Sequence, residues 1–128
     1  MAKGIEIREA HFPGRAPIDA YGNGGFRFAD MSHRGSILCL PSGIHGWDKQ
    51  EGTPLTLSDL QRVLDEAGEI EVLLVGTGKE IRPLSAEIKA ALTERKVRSD
   101  PMSTGAAVRT FNVMLAESRA VAAALIAV

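Results

Sequence analysis

Cysteine is nearly absent from this sequence. Cys39 is the one thiol in 128 residues, so no disulfide framework staples the chain, and a reducing compartment is expected. An excess of one charge is missing as well. Lys+Arg number 15 against 16 Asp+Glu, a formal net charge of −1, and the two signs are spread along the chain. That leaves no general field to attract nucleic acid or an anionic membrane. The only basic cluster, Arg95, Lys96 and Arg98, reads as the solvated end of a helix, so nucleic acid is not an expected partner. Long apolar runs are missing too. The most apolar stretch, "AVAAALIAV", is too short to cross a bilayer as a helix. The start, "MAKGIEIREAHF", has neither an apolar run of signal-peptide length nor an Arg/Ser-rich presequence. A cytoplasmic location without membrane insertion is therefore expected.

Catalytic signatures are equally sparse. "VLLVGTGKEIRPLS" (72–85) runs from an apolar strand through glycines toward a helix, as phosphate-binding loops do. A Walker loop needs two glycines four residues apart and then Lys-Ser/Thr opening a helix, whereas here Gly76 and Gly78 are one apart and Lys79 precedes Glu80. The third glycine of a dinucleotide fingerprint is missing as well. Ser42 and His45 are near one another in "LPSGIHGW", without the Gly-x-Ser-x-Gly elbow of a nucleophile. His11, His33 and His45 are scattered without metal-ligand spacing. Cys39 lies in an apolar strand, where a thiol is usually an inert small hydrophobe. No close carboxylate pair stands out. No metal and no cofactor is expected.

What is present is a globular composition, 45% hydrophobic and 24% charged, at a length suited to one domain over 1–128 that buries a core without staples. "IEIREAHF" alternates apolar and polar residues, the period of a half-buried strand. "IDAYGNGGFRFAD" places two runs about an Asn23-Gly24 hairpin turn. "MSHRG" reads as a second turn and "SILCL" as a central strand. Pro41 ends that strand, and "PSGIHGWDKQEGTP" reads as a long glycine-rich loop. The clearest helix follows Thr56 as N-cap, with Asp59 at its third position and Gly68 as its stop. Its apolar stripe is Leu57, Leu60, Val63, Leu64 and Ala67. "EVLLV" is a strand, Ser85 caps a helix burying Ile88, Ala91 and Leu92, and "VRSD" is extended. A third helix starts near Ser103, with Ala107, Phe111, Met114 and Leu115 on one stripe. The tail is ambiguous between helix and strand. Strands first, then alternating helix and strand, indicate an α/β domain in which parallel strands lie beside an antiparallel hairpin.

Four segments, "YGNGGFRF", "LPSGIHGW", "VLLVGTG" and "STGAAVRTFNVMLAESRAVAAALI", occur in the order seen in the Mth-like domain-of-unknown-function family 498, which the chain resembles from about Ile5 to Ile126. The resemblance implies a three-layer α/β domain with a central mixed sheet and about three helices. It also implies a strand over Ala120–Ala127. Its bacterial members have no established reaction, and a mitochondrial member is an assembly factor rather than a catalyst. Phe111 stands where the family commonly has tyrosine, so no phenol-dependent reaction is available to this chain at that position.

Two functional expectations follow. One is a non-enzymatic interaction or assembly-factor-like module, with a protein partner or a second copy of the chain, contacted through Ile44, Trp47, Phe26 and Phe28. Trp47 could equally plug the sheet edge. The other is a binding domain or enzyme for a small anionic ligand. Its pocket would lie between Ser42-Gly43, Thr77-Gly78 and Ser103-Thr104-Gly105, with Arg82 or Arg109 pairing the anion.

Overall fold

The computed structural model describes residues 12–128. The strands run in chain order as β1 (Ala20–Gly22), β2 (Gly25–Phe28), β3 (Met31–Arg34), β4 (Ser36–Leu40), β5 (Gly43–Trp47), β6 (Val72–Gly76), β7 (Arg98–Met102) and β8 (Val121–Leu125). Three α-helices, α1 (Gln61–Asp65), α2 (Ala86–Glu94) and α3 (Thr104–Ala116), lie among them. β1, β2 and β3 form an antiparallel sheet of their own, and the others form a mixed sheet in the order β5-β4-β8-β6-β7. β8 is antiparallel to β4 and parallel to β6, which is parallel to β7. The α/β class, the mixed central sheet and the three helices are as the sequence indicates.

Both faces of the central sheet are covered, which is why "SILCL", "VLLVG" and "VAAAL" are buried along their whole length. Ile37, Cys39, Val72, Leu74, Val121, Ala123 and Leu125 face one layer, made of α3 and the small sheet with Phe26 and Phe28. Leu38, Leu40, Leu73, Val75, Ala122 and Ala124 face the other, made of the 57–70 segment and α2 with Leu60, Val63, Ile88 and Leu92. Each fully buried aliphatic or aromatic side chain contributes about 1.5–3 kcal/mol. The tail is a strand because its alternating side chains meet a different layer on each face. β7 forms the other edge, and Pro101, which has no N–H to donate, is tolerated there.

The Asn23-Gly24 turn is present, with φ of 53° and 78°, the left-handed pair that a tight hairpin requires. Three local expectations are corrected. "MSHR" is not a turn but β3, and the chain reverses before it at Ala29 and Asp30, φ 49° and 61°. "GIHGW" is not a loop but β5, paired residue for residue with β4 across a Pro41-Ser42 turn. The glycine-rich loop therefore begins only after Trp47. The 57–70 stripe buries Leu60, Val63, Leu64 and Ala67 as expected, yet only Gln61–Asp65 is α-helical, between 3-10 turns at Leu57–Leu60 and Ala67–Glu69. Gly68 lies inside the second turn instead of closing the helix. Ser85 and Ser103 cap α2 and α3, accepting from the backbone N–H of Ile88 and Ala106. The expected strand at "IEIREAHF" and His11 lie outside the described residues. Phe12, just inside them, forms an isolated bridge to Ile44.

α3 packs closely against β6 at Gly76. A Cβ there would sit 3.0 Å from Thr104 Cα, 3.1 Å from Leu125 Cδ2 and 3.2 Å from Ala107 Cβ. Gly76→Val should therefore destabilise the fold by about 1–3 kcal/mol through overpacking, read as a lowered urea midpoint with unchanged m-value.

Candidate functional site

The carboxyl ends of β6 and β8 and the start of α3 converge at one edge of the sheet. Thr104, fully buried, joins them. Its hydroxyl accepts from the Gly78 N–H at 3.0 Å and donates to the Ile126 carbonyl at 2.7 Å, and its N–H donates to the Gly78 carbonyl at 2.8 Å. Thr77 closes the adjoining loop, donating to the Glu80 carbonyl at 2.7 Å and accepting from the Arg82 N–H at 3.0 Å. The α3 start is therefore sealed rather than open to an anion. Ser103 is occupied as the cap, and a Cβ on Gly105 would overlap the Tyr21 ring and hydroxyl.

Of the loops expected to share one pocket, Thr77-Gly78 and Ser103-Thr104-Gly105 meet, but Ser42-Gly43 does not join them. β4 runs antiparallel to β8, with Cys39 opposite Ala123, so the β4–β5 turn lies beyond the amino end of β8. Arg109 is exposed on α3 and lines neither the small-sheet concavity nor the cleft beside Arg82.

At that opposite end the structure makes a cluster the sequence reading did not contain. Ser42 Oγ is 2.8 Å from His45 Nε2 and 2.6 Å from Glu66 Oε2, and the Ser42 N–H donates to Glu66 Oε1 at 2.9 Å. Ser42 and His45 are three apart, but Glu66 arrives from the end of α1 and has no local signal linking it to them. An ionised carboxylate only accepts. The single hydroxyl proton thus goes to Glu66, and the imidazole N–H donates to the serine. In a Ser–His–acid triad the imidazole instead accepts from the serine. The cluster clamps the hairpin to the end of α1. Cys39 is buried, which pushes its thiol far above the usual range and leaves it inert.

The residues expected as partner contacts are largely interior. Ile44, Phe26 and Phe28 are buried in the core: β2 turns alternate residues inward, and β5 buries Gly43, Ile44 and His45 in succession. Trp47 is half-buried against the second core layer, its indole N–H donating to the Asp59 carbonyl at 2.9 Å. The exposed large apolar side chains among the described residues are Tyr21, Ile81 and Val113.

Two concavities among the described residues bear on the site. One, of about 750 Å³, is lined wholly by residues of the small sheet between Ala20 and Arg34. His33 is among them, and its buried Nδ1 has no hydrogen-bond partner among the described residues. Among the described residues no other element lines it. The second is a cleft of about 510 Å³ between the 52–55 loop and the 82–85 segment, floored by Thr77 and Ile126. It lies at the carboxyl edge of β6 and β8, where open α/β sheets usually bind ligands. Of the expected ligand residues, Thr77 and Arg82 line it. At its margin the Glu51 carboxylate accepts from the Lys79 N–H at 2.6 Å. It fills the space where a Cβ on Gly78, φ 115°, would project. The glycine turn does hold an anion, and the anion is the chain's own.

The 52–55 loop is fixed from below by Lys49. Its ammonium reaches the Pro54 carbonyl and lies 2.8 Å from Asp59 Oδ2. Asp59 also accepts from the Thr56 N–H and hydroxyl at 2.8 and 2.9 Å. The Lys49 hydrogen bond above all, with the Thr56 donors and against a burial penalty, holds the Asp59 carboxyl below its usual range.

Residues 18–126 match the model of a family described as protein of unknown function (DUF498/DUF598). An uncharacterized protein of Rhodobacter capsulatus is 38% identical over 119 residues, 93% of this chain and 90% of its own length. NADH dehydrogenase (ubiquinone) 1 alpha subcomplex assembly factor 3 of Mus musculus is 27% identical over 122 residues, 95% of this chain and 66% of its own. The chain thus spans just under two thirds of that relative. Among solved structures, a protein described as an outer membrane protein of Bartonella henselae is 67% identical with a TM-score of 0.88, covering 91% of this chain and 98% of that one. A Mth938-like domain of Bordetella pertussis is 29% identical with a TM-score of 0.76, covering 87% and 85%. Among the described residues no helix is long and apolar enough to cross a membrane.

Thr104→Val should leave the Gly78 N–H and the Ile126 carbonyl unpartnered and cost about 2–4 kcal/mol, measurable by chemical denaturation. Asp59→Asn tests the loop clamp. A carboxyl with a depressed folded pKa contributes stability above its unfolded pKa, about 3.9, that is lost as pH falls through the lower folded value. Urea titrations on the acid side of neutrality should show a shallower loss of stability in Asp59→Asn than in the wild type.

Proposed function

This chain belongs to the DUF498/DUF598 family of proteins of unknown function, and from that membership we propose that it is a non-enzymatic interaction module assisting assembly of a larger protein complex. The observation that carries the reading is the likeness to assembly factor 3, which extends over 95% of this chain and is therefore a likeness of the whole described fold. The chemistry agrees with it. Ser42 donates its hydroxyl proton to Glu66, and Cys39 is buried with its thiol raised above the usual range. The partner class that the relative's name indicates is a subunit of an NADH dehydrogenase. Tyr21, 42% exposed, Ile81, 65%, and Val113, 58%, are the apolar side chains available to it, and a partner surface that covers them gains their burial.

A second reading rests on the cleft beside Arg82: a binding domain for a small anionic ligand. Thr77 and Arg82 carry it, since the α3 start is sealed and Ser42-Gly43 lies at the other end of the sheet.

The assembly reading is tested in cells deleted for this chain. The amount of intact NADH dehydrogenase on native gels should fall and should be restored by the wild-type protein but not by Ile81→Asp or Val113→Asp, whose exposed sites leave the fold unaffected. An unchanged amount of the complex after deletion would overturn it.

A further inference from the structure

Among the described residues, Arg82 is the one basic side chain lining the cleft. Its backbone N–H is used by Thr77, but no hydrogen bond or ion pair within the described residues engages its guanidinium. The rest of the lining is mostly apolar, with Pro54 and Leu55 on one wall, Pro83 and Leu84 on the other and Ile126 beneath. Ser85 accepts from the Ile88 N–H at 3.2 Å and keeps its own O–H to donate. A cleft of about 510 Å³ is within the usual range for small-molecule sites, which combine apolar walls with a few placed polar groups.

The electrostatics narrow the ligand. Glu51 already occupies the Lys79 N–H at the margin, so the turn's donor is taken and a fixed negative charge stands at the mouth. Arg82 as the single cation among the described lining residues suits a single negative charge, and a dianion would find no second cation there. A carboxylate presents two oxygens to the planar fork of an arginine. The apolar walls call for a hydrocarbon body behind it.

We propose that this cleft binds a monocarboxylic acid with an apolar chain, the carboxylate paired with Arg82 and donated to by Ser85, the chain lying between Leu55 and Leu84. This rests on the second reading above and names its ligand class; it is independent of the assembly role. The probe is octanoate, with 1-octanol as the uncharged control and inorganic phosphate as the dianion control, each titrated into the full chain and followed by backbone amide shifts. Octanoate should bind saturably and shift the amides of Leu55, Leu84 and Ile126. Arg82→Gln should weaken octanoate by about tenfold or more and leave octanol unchanged. Leu55→Glu should weaken both. The amide spectrum of each variant verifies that it is folded. Equal octanoate affinity in wild type and Arg82→Gln, or no saturable shift up to the solubility limit, would overturn the proposal. Phosphate binding that depends on Arg82, with octanoate silent, would overturn the ligand class while sparing the anion-binding reading. Silence of both would overturn the two together.

Discussion

Burial of both faces of β8 is the constraint on which the rest of the structure depends. A strand of "VAAAL" has little side-chain volume of its own, so its stability comes from what packs on either side. Ala122 and Ala124 meet the layer of Leu60, Val63, Ile88 and Leu92, while Ala123 meets that of Phe28, Val108 and Phe111. Small residues in the central strand let helices approach closely, and Gly76 on neighbouring β6 extends the same close approach to α3. A substitution here is felt on two layers at once, because close-packed interiors relax only partly.

Close packing at that edge leaves backbone groups to be satisfied where water cannot reach. Thr104 answers for the exits of β6 and β8 and the start of α3 together. Thr77 does so for the loop toward Arg82. This economy of polar groups explains why the edge is not the open helix terminus that its Ser-Thr-Gly sequence resembles. The N–H groups of Thr104 and Ala106 are used internally, and accessible polarity shifts outward to Arg82 and to the turn that Glu51 occupies. A protein can thus keep a cleft at the usual place for an α/β ligand site without any of the loop signatures that accompany nucleotides.

Two polar clusters outside the core serve connection. Glu66 holds the Ser42 turn to the end of α1, and Asp59 gathers Thr56 and Lys49 beneath the 52–55 loop. The first ties segments 24 residues apart, and the second folds the 49–59 stretch onto itself. Their formation places one wall of the cleft and fixes the turn of β4–β5 against the end of α1. The apolar side chains left exposed, Tyr21, Ile81 and Val113, lie on separate elements. A partner that used all of them would therefore contact the small sheet, the 78–85 loop and α3 together.

The sequence by itself determined what depends on local period, caps and composition. The Asn23-Gly24 hairpin, the serine caps of α2 and α3, the apolar stripe at 60–67 and the buried run of β4 were all legible, because each is written in neighbouring residues. Resemblance in four ordered segments made the tail a strand where periodicity alone left it open. Tertiary structure decided the rest. "MSHR" became a strand because Phe26 and His33 pair across the small sheet, and "GIHGW" became one because β4 offered it an edge, overriding the glycines. Whether a loop residue is a ligand or a clamp depended on which end of β8 it reached, and on partners as far off as Glu66 for Ser42 and Glu51 for Lys79. Those contacts join segments more than 20 residues apart, and only the folded sheet brings them within hydrogen-bonding distance.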